Sequence, residues 1–104
     1  MRSKDFRRVY DAGARYAGAY FVAFYLRETD AEGPRIGFTT PRALGKAVAR
    51  NRIRRRVRET VRLLLDKLNP QCSLVINPRR KAFDAPMAEL RREVEKLFLH
   101  CNGR

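Results

Sequence analysis

The chain has 104 residues, enough for one domain spanning 1–104 and too few for a deep enclosed active-site cavity. It carries 24 Lys and Arg against 11 Asp and Glu, a formal net charge of +13, so its surface repels itself unless a polyanion shares it. No run approaches the roughly 18 apolar residues of a membrane span, and no secretory signal pattern opens the chain. We therefore expect a cytoplasmic protein that binds nucleic acid, with neither a membrane nor a small-molecule substrate as its partner.

The first half of the chain predicts a short helix followed by a β-hairpin. Ser3 can cap this helix, which should end near Gly13. Its apolar residues follow at helical spacing: Phe6, Val9 and Tyr10. Aromatic and β-branched residues then predict a strand, and Gly-Pro in the segment ETDAEGP predicts the turn that follows it. The two strands of the hairpin are predicted at Tyr20–Leu26 and Arg35–Thr40.

A long amphipathic helix is predicted from about Lys46 to about Leu68, where Asn69-Pro70 ends it. Its apolar side chains form one stripe at a period of 3.6: Ile53, Val57, Val61, Leu64, Leu65 and Leu68. Arg50 and Lys46 project on the side of this stripe, one and two turns before it begins, respectively. We therefore expect the basic start of the helix to extend past the sheet and to line an open groove.

The last third of the chain predicts a central strand and a final helix. Cys72–Ile76 is short and continuously apolar, as central strands are, and the segment NPRRK predicts a basic loop. Asp84 is a candidate cap for a helix from Met87 to about His100, whose predicted buried stripe is Leu90, Val94, Leu97 and Phe98. This order of elements predicts an α+β fold, a two-layer sandwich of a small mixed sheet with three helices.

Side chains that carry hydrolytic chemistry are scattered along the chain. It contains no glycine-rich phosphate loop, no Ser/His/Asp set and no close pair of carboxylates. The acidic residues that stand one turn from Arg or Lys, and so predict exposed ion pairs, are Glu59, Glu89, Glu93 and Glu95. Cys72 and Cys101 are far apart and predict two reduced thiols in preference to a disulfide or a metal site. By itself, the sequence makes no case for an enzyme.

Basic residues are concentrated in the segment GKAVARNRIRRRVRET. From Arg42 to Arg62, nine Arg or Lys residues stand against a single acid, Glu59. Like charges one turn apart, such as Arg50 and Arg54, each cost a few tenths of a kcal/mol, a cost that balanced surface helices avoid. The preference for Arg over Lys favours forked contacts with phosphate or stacking on bases. The segment therefore predicts a nucleic-acid-binding helix.

The first predicted strand carries aromatic rings on both faces. Alternation places Val22 and Phe24 on one face and Phe21, Ala23 and Tyr25 on the other. A chain of this length cannot bury all of these rings well. One face therefore predicts a stacking platform for single-stranded nucleic acid.

The segment ALGKAVARNRIRRRVRE resembles the signature of the protein subunit of bacterial ribonuclease P. That signature has a Gly, small and apolar residues, and then Arg-Asn-Arg with further basic residues on one helix, as at Gly45–Arg55. DFRRVYDAG, YFVAFYL and RIGFTTPRALG resemble the family's first helix, first strand and approach to the long helix, so the resemblance covers nearly the whole chain. It implies an unusual left-handed βαβ crossover, against the strong right-handed preference of such connections.

The resemblance also implies a function. In this family a large RNA with bound Mg²⁺ removes the 5′ leader of precursor tRNA, and the protein, which needs no cofactor or catalytic residue of its own, assists it. The residues implied to bind the catalytic RNA are Arg50, Asn51, Arg52, Arg54, Arg55 and Arg58. Those implied to form the leader-binding cleft are Phe6, Tyr10, Val22, Phe24 and Thr39, with Arg42 and Lys46 at its rim. Ala43 and Lys46 depart from the residues that are common in the family.

Two other functions remain as alternatives. A structural ribosomal RNA-binding protein fits the charge but does not account for Arg-Asn-Arg in its context. A stand-alone nuclease lacks the clustered carboxylates and histidines that metal-dependent cleavage requires.

Overall fold

The computed structural model describes residues 3–28 and 34–103, with only the backbone of Ser3. In chain order its regular elements are α1 (Ser3–Ala12), β1 (Ala14–Ala17), β2 (Phe21–Arg27), β3 (Arg35–Phe38), α2 (Ala47–Leu64), β4 (Cys72–Pro78) and α3 (Met87–Asn102). Short 3₁₀ turns lie at Arg42–Leu44, Leu65–Lys67 and Arg80–Phe83. The predicted α+β class, with three helices and a mixed sheet, is confirmed.

The four strands are arranged in the order β1-β2-β4-β3. β2 pairs antiparallel with both β1 and β4, whereas β3 pairs parallel with β4. The predicted hairpin is therefore wrong, because β4 lies between the two strands that were expected to pair. β4 takes the centre since Cys72–Ile76 is buried throughout and needs a neighbour on each side. The predicted turn ETDAEGP includes residues 29–33, which lie outside the described residues.

The chain crosses from β3 through α2 to the adjacent parallel strand β4, which is the βαβ connection that the resemblance implies. Its left-handed sense stays a prediction.

β1 was not predicted. Its four residues, ARYA, are mostly exposed and carry no alternating apolar signal, so they read as a loop in sequence.

The main core lies between one face of the sheet and the helices α2 and α3. The predicted stripe of α2 is buried at Ile53, Val57, Val61, Leu64 and Leu68, and Leu65 is half-buried. The predicted stripe of α3 is buried as well, at Leu90, Val94, Leu97 and Phe98. Phe21 and Ala23 of β2 point into this core, as do Leu74 and Ile76 of β4. The helical periodicity therefore identified both core-facing surfaces correctly.

The predicted cap of α3 is wrong. This helix has Pro86 at its N-cap and no side-chain cap, while Asp84 lies two residues earlier. Pro86 fixes its own backbone φ at −57°, and its carbonyl accepts from the backbone N–H of Leu90 at 3.1 Å, which closes the first helical turn. The predicted basic loop is shorter than NPRRK, because Asn77 and Pro78 continue β4 and Arg80 begins a 3₁₀ turn.

Helix α1 packs on the second face of the sheet. Val9 is fully buried there, and the Arg8 guanidinium lies 3.2 Å from Asp5 and 2.8 Å from Glu28. Glu28 also accepts a hydrogen bond from the Ser73 hydroxyl, and this bond together with Arg8 lowers the pKa of the Glu28 carboxyl. These contacts attach one end of α1 to the sheet and leave the rest of this face open.

The acidic residues differ from the predicted ion pairs. Only Glu59 pairs as expected, with Arg62 at 3.1 Å, while Glu95 lies 3.5 Å from Lys67 outside its own helix. Glu89 accepts a hydrogen bond from the Tyr20 hydroxyl. Glu93 is buried, and its carboxylate accepts from the backbone N–H groups of residues 19, 20 and 21 at 2.8, 2.9 and 3.2 Å. An acid on a helix is thus used to hold the turn between β1 and β2.

The two cysteines are free, as predicted, and both are buried. The Cys101 thiol of α3 and the Cys72 thiol of β4 interact with each other. This interaction lowers the pKa of Cys72 and, together with burial, raises the pKa of Cys101. The thiols therefore join the core between the sheet and α3.

Candidate nucleic-acid interface

Most of the predicted cleft residues lie towards one end of the sheet, where β3 and β4 end, β2 begins and α2 starts, and the predicted arginines continue from there along α2 to Arg58. Gly45 makes this arrangement possible, because its φ of +126° is a conformation that residues with a side chain rarely adopt. A Cβ at this position would also lie 2.9 Å from the guanidinium of Arg80, which donates to the carbonyl oxygen of Leu44 at 2.8 Å. The glycine of the signature thus sets the direction in which α2 begins.

Two arginines of α2 are used to hold the chain together. Arg56 donates to the carbonyl oxygens of Ala82 at 3.0 Å, Phe83 at 2.9 Å and Ala85. Arg52 donates through Nε to the carbonyl of Phe83 at 3.0 Å, and its guanidinium carbon lies 4.9 Å from the centre of the Phe83 ring. Arg56 is half-buried, whereas Arg52 is exposed. Arg52 can therefore combine a structural contact with an outward-facing charge.

Other side chains of α2 make fewer hydrogen bonds and ion pairs within the protein. Among the residues that the structure describes, Arg55 and Arg58 are exposed and make neither an ion pair nor a hydrogen bond through their side chains. Arg54 donates to the Asn51 side-chain oxygen at 2.9 Å. Arg50 is half-buried and reaches the carbonyl oxygen of Thr40 at 3.5 Å, so it lies on the groove side of the helix.

An open cleft lies on the second face of the sheet beside α1. The Tyr10 ring of α1 meets the Phe24 ring of β2 edge-on, with centroids 4.8 Å apart and planes at 72°. The Tyr10 hydroxyl donates to the Asn77 side-chain oxygen at 3.0 Å, and the Thr39 hydroxyl donates to the same oxygen. Val22 is the register partner of Asn77 across β2 and β4. Three of the predicted cleft residues therefore meet around one amide, and Phe24 adjoins them through the Tyr10 ring.

The remaining predicted cleft residues lie at its margins. Phe6 is half-buried, one helical turn before Tyr10 on α1. Arg42 lies in the first 3₁₀ turn, and Lys46 is the N-cap residue of α2. Both are exposed, and within residues 3–28 and 34–103 neither contacts the aromatic pair. The backbone N–H of Thr39 donates to the carbonyl of Ile76 at 3.0 Å, which fixes the floor of the cleft between these margins.

Sequence reasoning missed two residues of this surface. Asn77 was assigned to a loop, although its position directly after the apolar run of β4 marks the place where that strand becomes polar. Val48 is 82% exposed on the first turn of α2, among the basic residues. Its place in the signature, between the Gly and Arg-Asn-Arg, was read only as small and apolar.

Two further observations concern the described part of the chain. No three or more His, Cys, Asp or Glu side chains within it come together in a way that could hold a metal ion. None of its helices is both long and apolar enough to cross a lipid bilayer.

Comparison with known proteins identifies the family. The ribonuclease P family model matches residues 1–102. The ribonuclease P protein component of Symbiobacterium thermophilum is 42% identical over 93 residues, covering 89% of this chain and 81% of that protein. The corresponding protein of Acidothermus cellulolyticus is 40% identical over 98 residues, covering 93% of this chain and 82% of that one.

Solved structures agree with this assignment. The RNase P protein of Thermotoga maritima superposes with a TM-score of 0.83 at 25% identity, over 96% of this chain and 94% of that one. The RNase P protein of Staphylococcus aureus gives a TM-score of 0.82 over 98% of this chain and 93% of that one. At 24% identity, the latter comparison supports the fold alone. The chain belongs to the ribonuclease P protein family.

Proposed function

We propose that this chain is the protein subunit of a bacterial ribonuclease P and that it binds two RNAs at once. The exposed face of α2 would bind the catalytic RNA, and the cleft beside α1 would bind the single-stranded 5′ leader of precursor tRNA. The observation that carries this proposal is an open aromatic cleft that lies beside the start of α2, a helix whose outward side carries arginines along its length.

Contact with the catalytic RNA is assigned to Arg50, Asn51, Arg52, Arg54, Arg55 and Arg58. Arg55 and Arg58 have all their guanidinium donors available for phosphate oxygens. Arg52 stacks on Phe83, so its outer donors are already oriented, and less side-chain entropy is lost when RNA binds. Each such contact releases counterions from the RNA, so affinity should fall as salt increases.

Asn51 is assigned a positioning role within this face. Its side-chain oxygen accepts from Arg54, and its amide nitrogen remains able to donate to RNA. A double-mutant cycle for binding to the catalytic RNA, with Asn51→Ala, Arg54→Ala and the pair, tests this role. We expect the double variant to lose less affinity than the sum of the single variants. Strict additivity would mean that Asn51 does not orient Arg54.

Leader binding is assigned to the cleft because its chemistry suits single-stranded RNA. The exposed ring of Tyr10 and the half-buried ring of Phe24 offer apolar surface on which a base can stack. The Asn77 oxygen is already occupied by two hydroxyl donors, which leaves its amide N–H₂ to donate to a base or a ribose. Arg42 and Lys46 at the rim would meet the leader phosphates.

The catalytic step itself is assigned to the RNA subunit. Mg²⁺ would be held by that RNA, and the protein would contribute binding energy and position, with no catalytic residue of its own.

A cleavage assay tests the proposal as a whole. Precursor tRNA is incubated with the cognate catalytic RNA at low Mg²⁺, with and without the protein, and we expect faster cleavage when the protein is present. A control variant combines Arg91→Gln with Arg92→Gln, which removes two positive charges from the exposed face of α3, and it should retain the enhancement. No enhancement by the folded protein would refute the proposal, whereas metal-dependent cleavage by the protein alone would favour a stand-alone nuclease.

A further inference from the structure

Two exposed arginines that the proposed function does not use lie next to the aromatic pair of the cleft. Arg15 is on β1, and Arg7 is on α1, one helical turn before Tyr10. As far as the structure describes the chain, neither side chain forms an ion pair or a hydrogen bond. Both guanidinium groups therefore keep all of their donors available for an anion.

The strand register places Arg15 on the open face of the sheet. Arg15 of β1 is directly opposite Phe24 of β2, and directly opposite residues share a face, with Cβ atoms about 5 Å apart. Tyr16, the next residue of β1, is opposite Ala23 and packs against the core on the other face. The alternation of side chains along β1 agrees with this register, so Arg15 extends from the same surface as the Phe24 ring.

The floor of the cleft reaches β1. Val22, on this floor, has Ala17 of β1 as its register partner. Ala17 is exposed and carries only a methyl group, so no large side chain separates the floor from this edge of the sheet. From β3 to β1 the open face spans three strand spacings, roughly 14 Å. Arg42 and Lys46 follow β3 at one edge of this face, and Arg15 marks the opposite edge.

The backbone that carries Arg15 is attached at both ends of β1. Before the strand, the backbone N–H of Gly13 donates to the carbonyl of Val9 at 2.8 Å, which joins β1 tightly to α1. After the strand, the Glu93 carboxylate accepts three backbone hydrogen bonds from the turn that leads to β2. Arg15 therefore begins from a fixed position, while its guanidinium is left to orient towards a ligand.

Neighbouring acids do not neutralise the two arginines. Asp11, which lies between them in sequence, is exposed and forms no ion pair among the residues that the structure describes. Two other acids of this face are paired with Arg8, at 3.2 and 2.8 Å. Arg7 and Arg15 thus present positive charges without a fixed counterion beside two aromatic rings. This combination suits single-stranded nucleic acid, whose bases stack while its phosphates pair with cations.

We propose that Arg7 and Arg15 form a second basic rim of the cleft, which binds phosphates of the precursor tRNA leader on the far side of the aromatic pair from Arg42 and Lys46. This inference rests on the proposed function, because it requires a leader in the cleft. It predicts that the leader crosses the sheet from the start of α2 towards β1. Phosphates on both sides of the stacked bases would then be held by the protein.

The test compares two variants that each lose two positive charges. The rim variant carries Arg7→Gln and Arg15→Gln, and the matched control carries Arg91→Gln and Arg92→Gln on the exposed face of α3. Each protein is assembled with the catalytic RNA, and binding of precursor tRNA and of mature tRNA is measured at a series of salt concentrations. For the rim variant we expect roughly tenfold weaker binding of the precursor, as the loss of two exposed charge contacts would give, and unchanged binding of mature tRNA. Its salt slope for the precursor should fall by about 1.4, since each single-strand phosphate contact contributes about 0.7.

Single variants test the contact of Arg15 with phosphate. Arg15→Gln should lower the salt slope for the precursor by about 0.7, whereas Arg15→Lys, which keeps the charge, should leave the slope at its wild-type value. Neither variant removes a hydrogen bond within the described residues, and urea denaturation should show wild-type stability for both. A slope that fell equally in the two variants would overturn the assignment of Arg15 to a phosphate.

Other results would overturn the proposal as a whole. An equal loss in the control would mean that only net charge matters. An equal loss for mature tRNA would assign the two arginines to the body of the tRNA, and weaker assembly with the catalytic RNA would assign them to that RNA. If wild-type protein preferred the precursor and the rim variant kept the full preference, only this inference would fail. If wild-type protein showed no preference for the precursor, the proposed function itself would be refuted.

Discussion

Replacing Phe24 with Ala removes the ring that forms the floor of the proposed leader cleft. Phe24 is half-buried on the open face of β2, with its ring 4.8 Å from that of Tyr10. The substitution should weaken two interactions of different kinds. One is the edge-to-face contact inside the protein, and the other is stacking with a leader base.

The two effects have separable magnitudes. An aromatic pair contributes about 0.5–1.5 kcal/mol beyond its buried area, so the variant should unfold somewhat more easily. The loss should stay below the roughly 3–5 kcal/mol that removing a fully buried Phe costs, because Phe24 is only half-buried. Stacking on one base is worth about 1–3 kcal/mol, which corresponds to an affinity loss of about 5- to 140-fold for precursor tRNA.

Binding is measured with the assembled ribonucleoprotein, for precursor tRNA with a leader and for mature tRNA without one. The expected loss is confined to the substrate with a leader, and urea denaturation measures stability separately. Phe24→Leu is the matched control, because it keeps most of the apolar volume and removes the aromatic face. It should restore stability but not leader affinity. Equal losses for the two RNAs would place Phe24 among the residues that merely support the fold and would refute the reasoning.

Three further predictions concern residues outside the cleft. Arg55→Ala should lower the salt slope for binding the catalytic RNA by up to about 0.9 without changing stability, and an unchanged slope would mean that Arg55 is merely solvated. Arg56→Ala should instead lower the free energy of unfolding by about 2–3 kcal/mol, because three carbonyl oxygens lose their donor. Gly45→Ala should lower the free energy of unfolding by about 1–3 kcal/mol, since a φ of +126° is strained for Ala. Thermal unfolding measures this loss, and an unchanged melting temperature would contradict it. The Glu28 carboxylate, whose pKa is lowered below its ordinary 4.5, should stabilise the fold at neutral pH and lose that contribution as pH falls through its folded-state pKa. Urea denaturation at a series of pH values should show this loss in the wild type and a shallower one in Glu28→Gln; identical profiles would exclude the carboxylate as the cause.

Local periodicity was sufficient to predict the helices and the central strand. The apolar stripes of α2 and α3 repeat every turn, so their buried faces follow from the chain alone. Strand pairing depends instead on residues that are distant in sequence. Arg35–Phe38 pairs with a strand that begins after α2, and no local pattern distinguishes this partner from an adjacent hairpin strand.

The site shows the same division. The concentration of arginine on α2 was visible in sequence, and so was the segregation of rings to the two faces of β2. The different uses of Arg55 and Arg56 were not, because they depend on whether the carbonyls of residues 82–85 lie within reach. Glu93 was missed for a similar reason. Its partners are backbone N–H groups more than 70 residues away, and backbone groups leave no trace in composition.

The three carbonyl contacts of Arg56 distinguish two effects of a positive charge on RNA: direct hydrogen bonds to phosphate and a long-range electrostatic field. Its donors are directed inward to these carbonyl oxygens, so they cannot donate hydrogen bonds to a phosphate that arrives at α2. The charge itself is not consumed, because carbonyl oxygens carry only partial charge, and its field still extends about a Debye length into solvent. Arg56 should therefore speed the diffusional approach of RNA while adding little to the lifetime of the complex. Capture and retention by this surface would then depend on different arginines of the same helix.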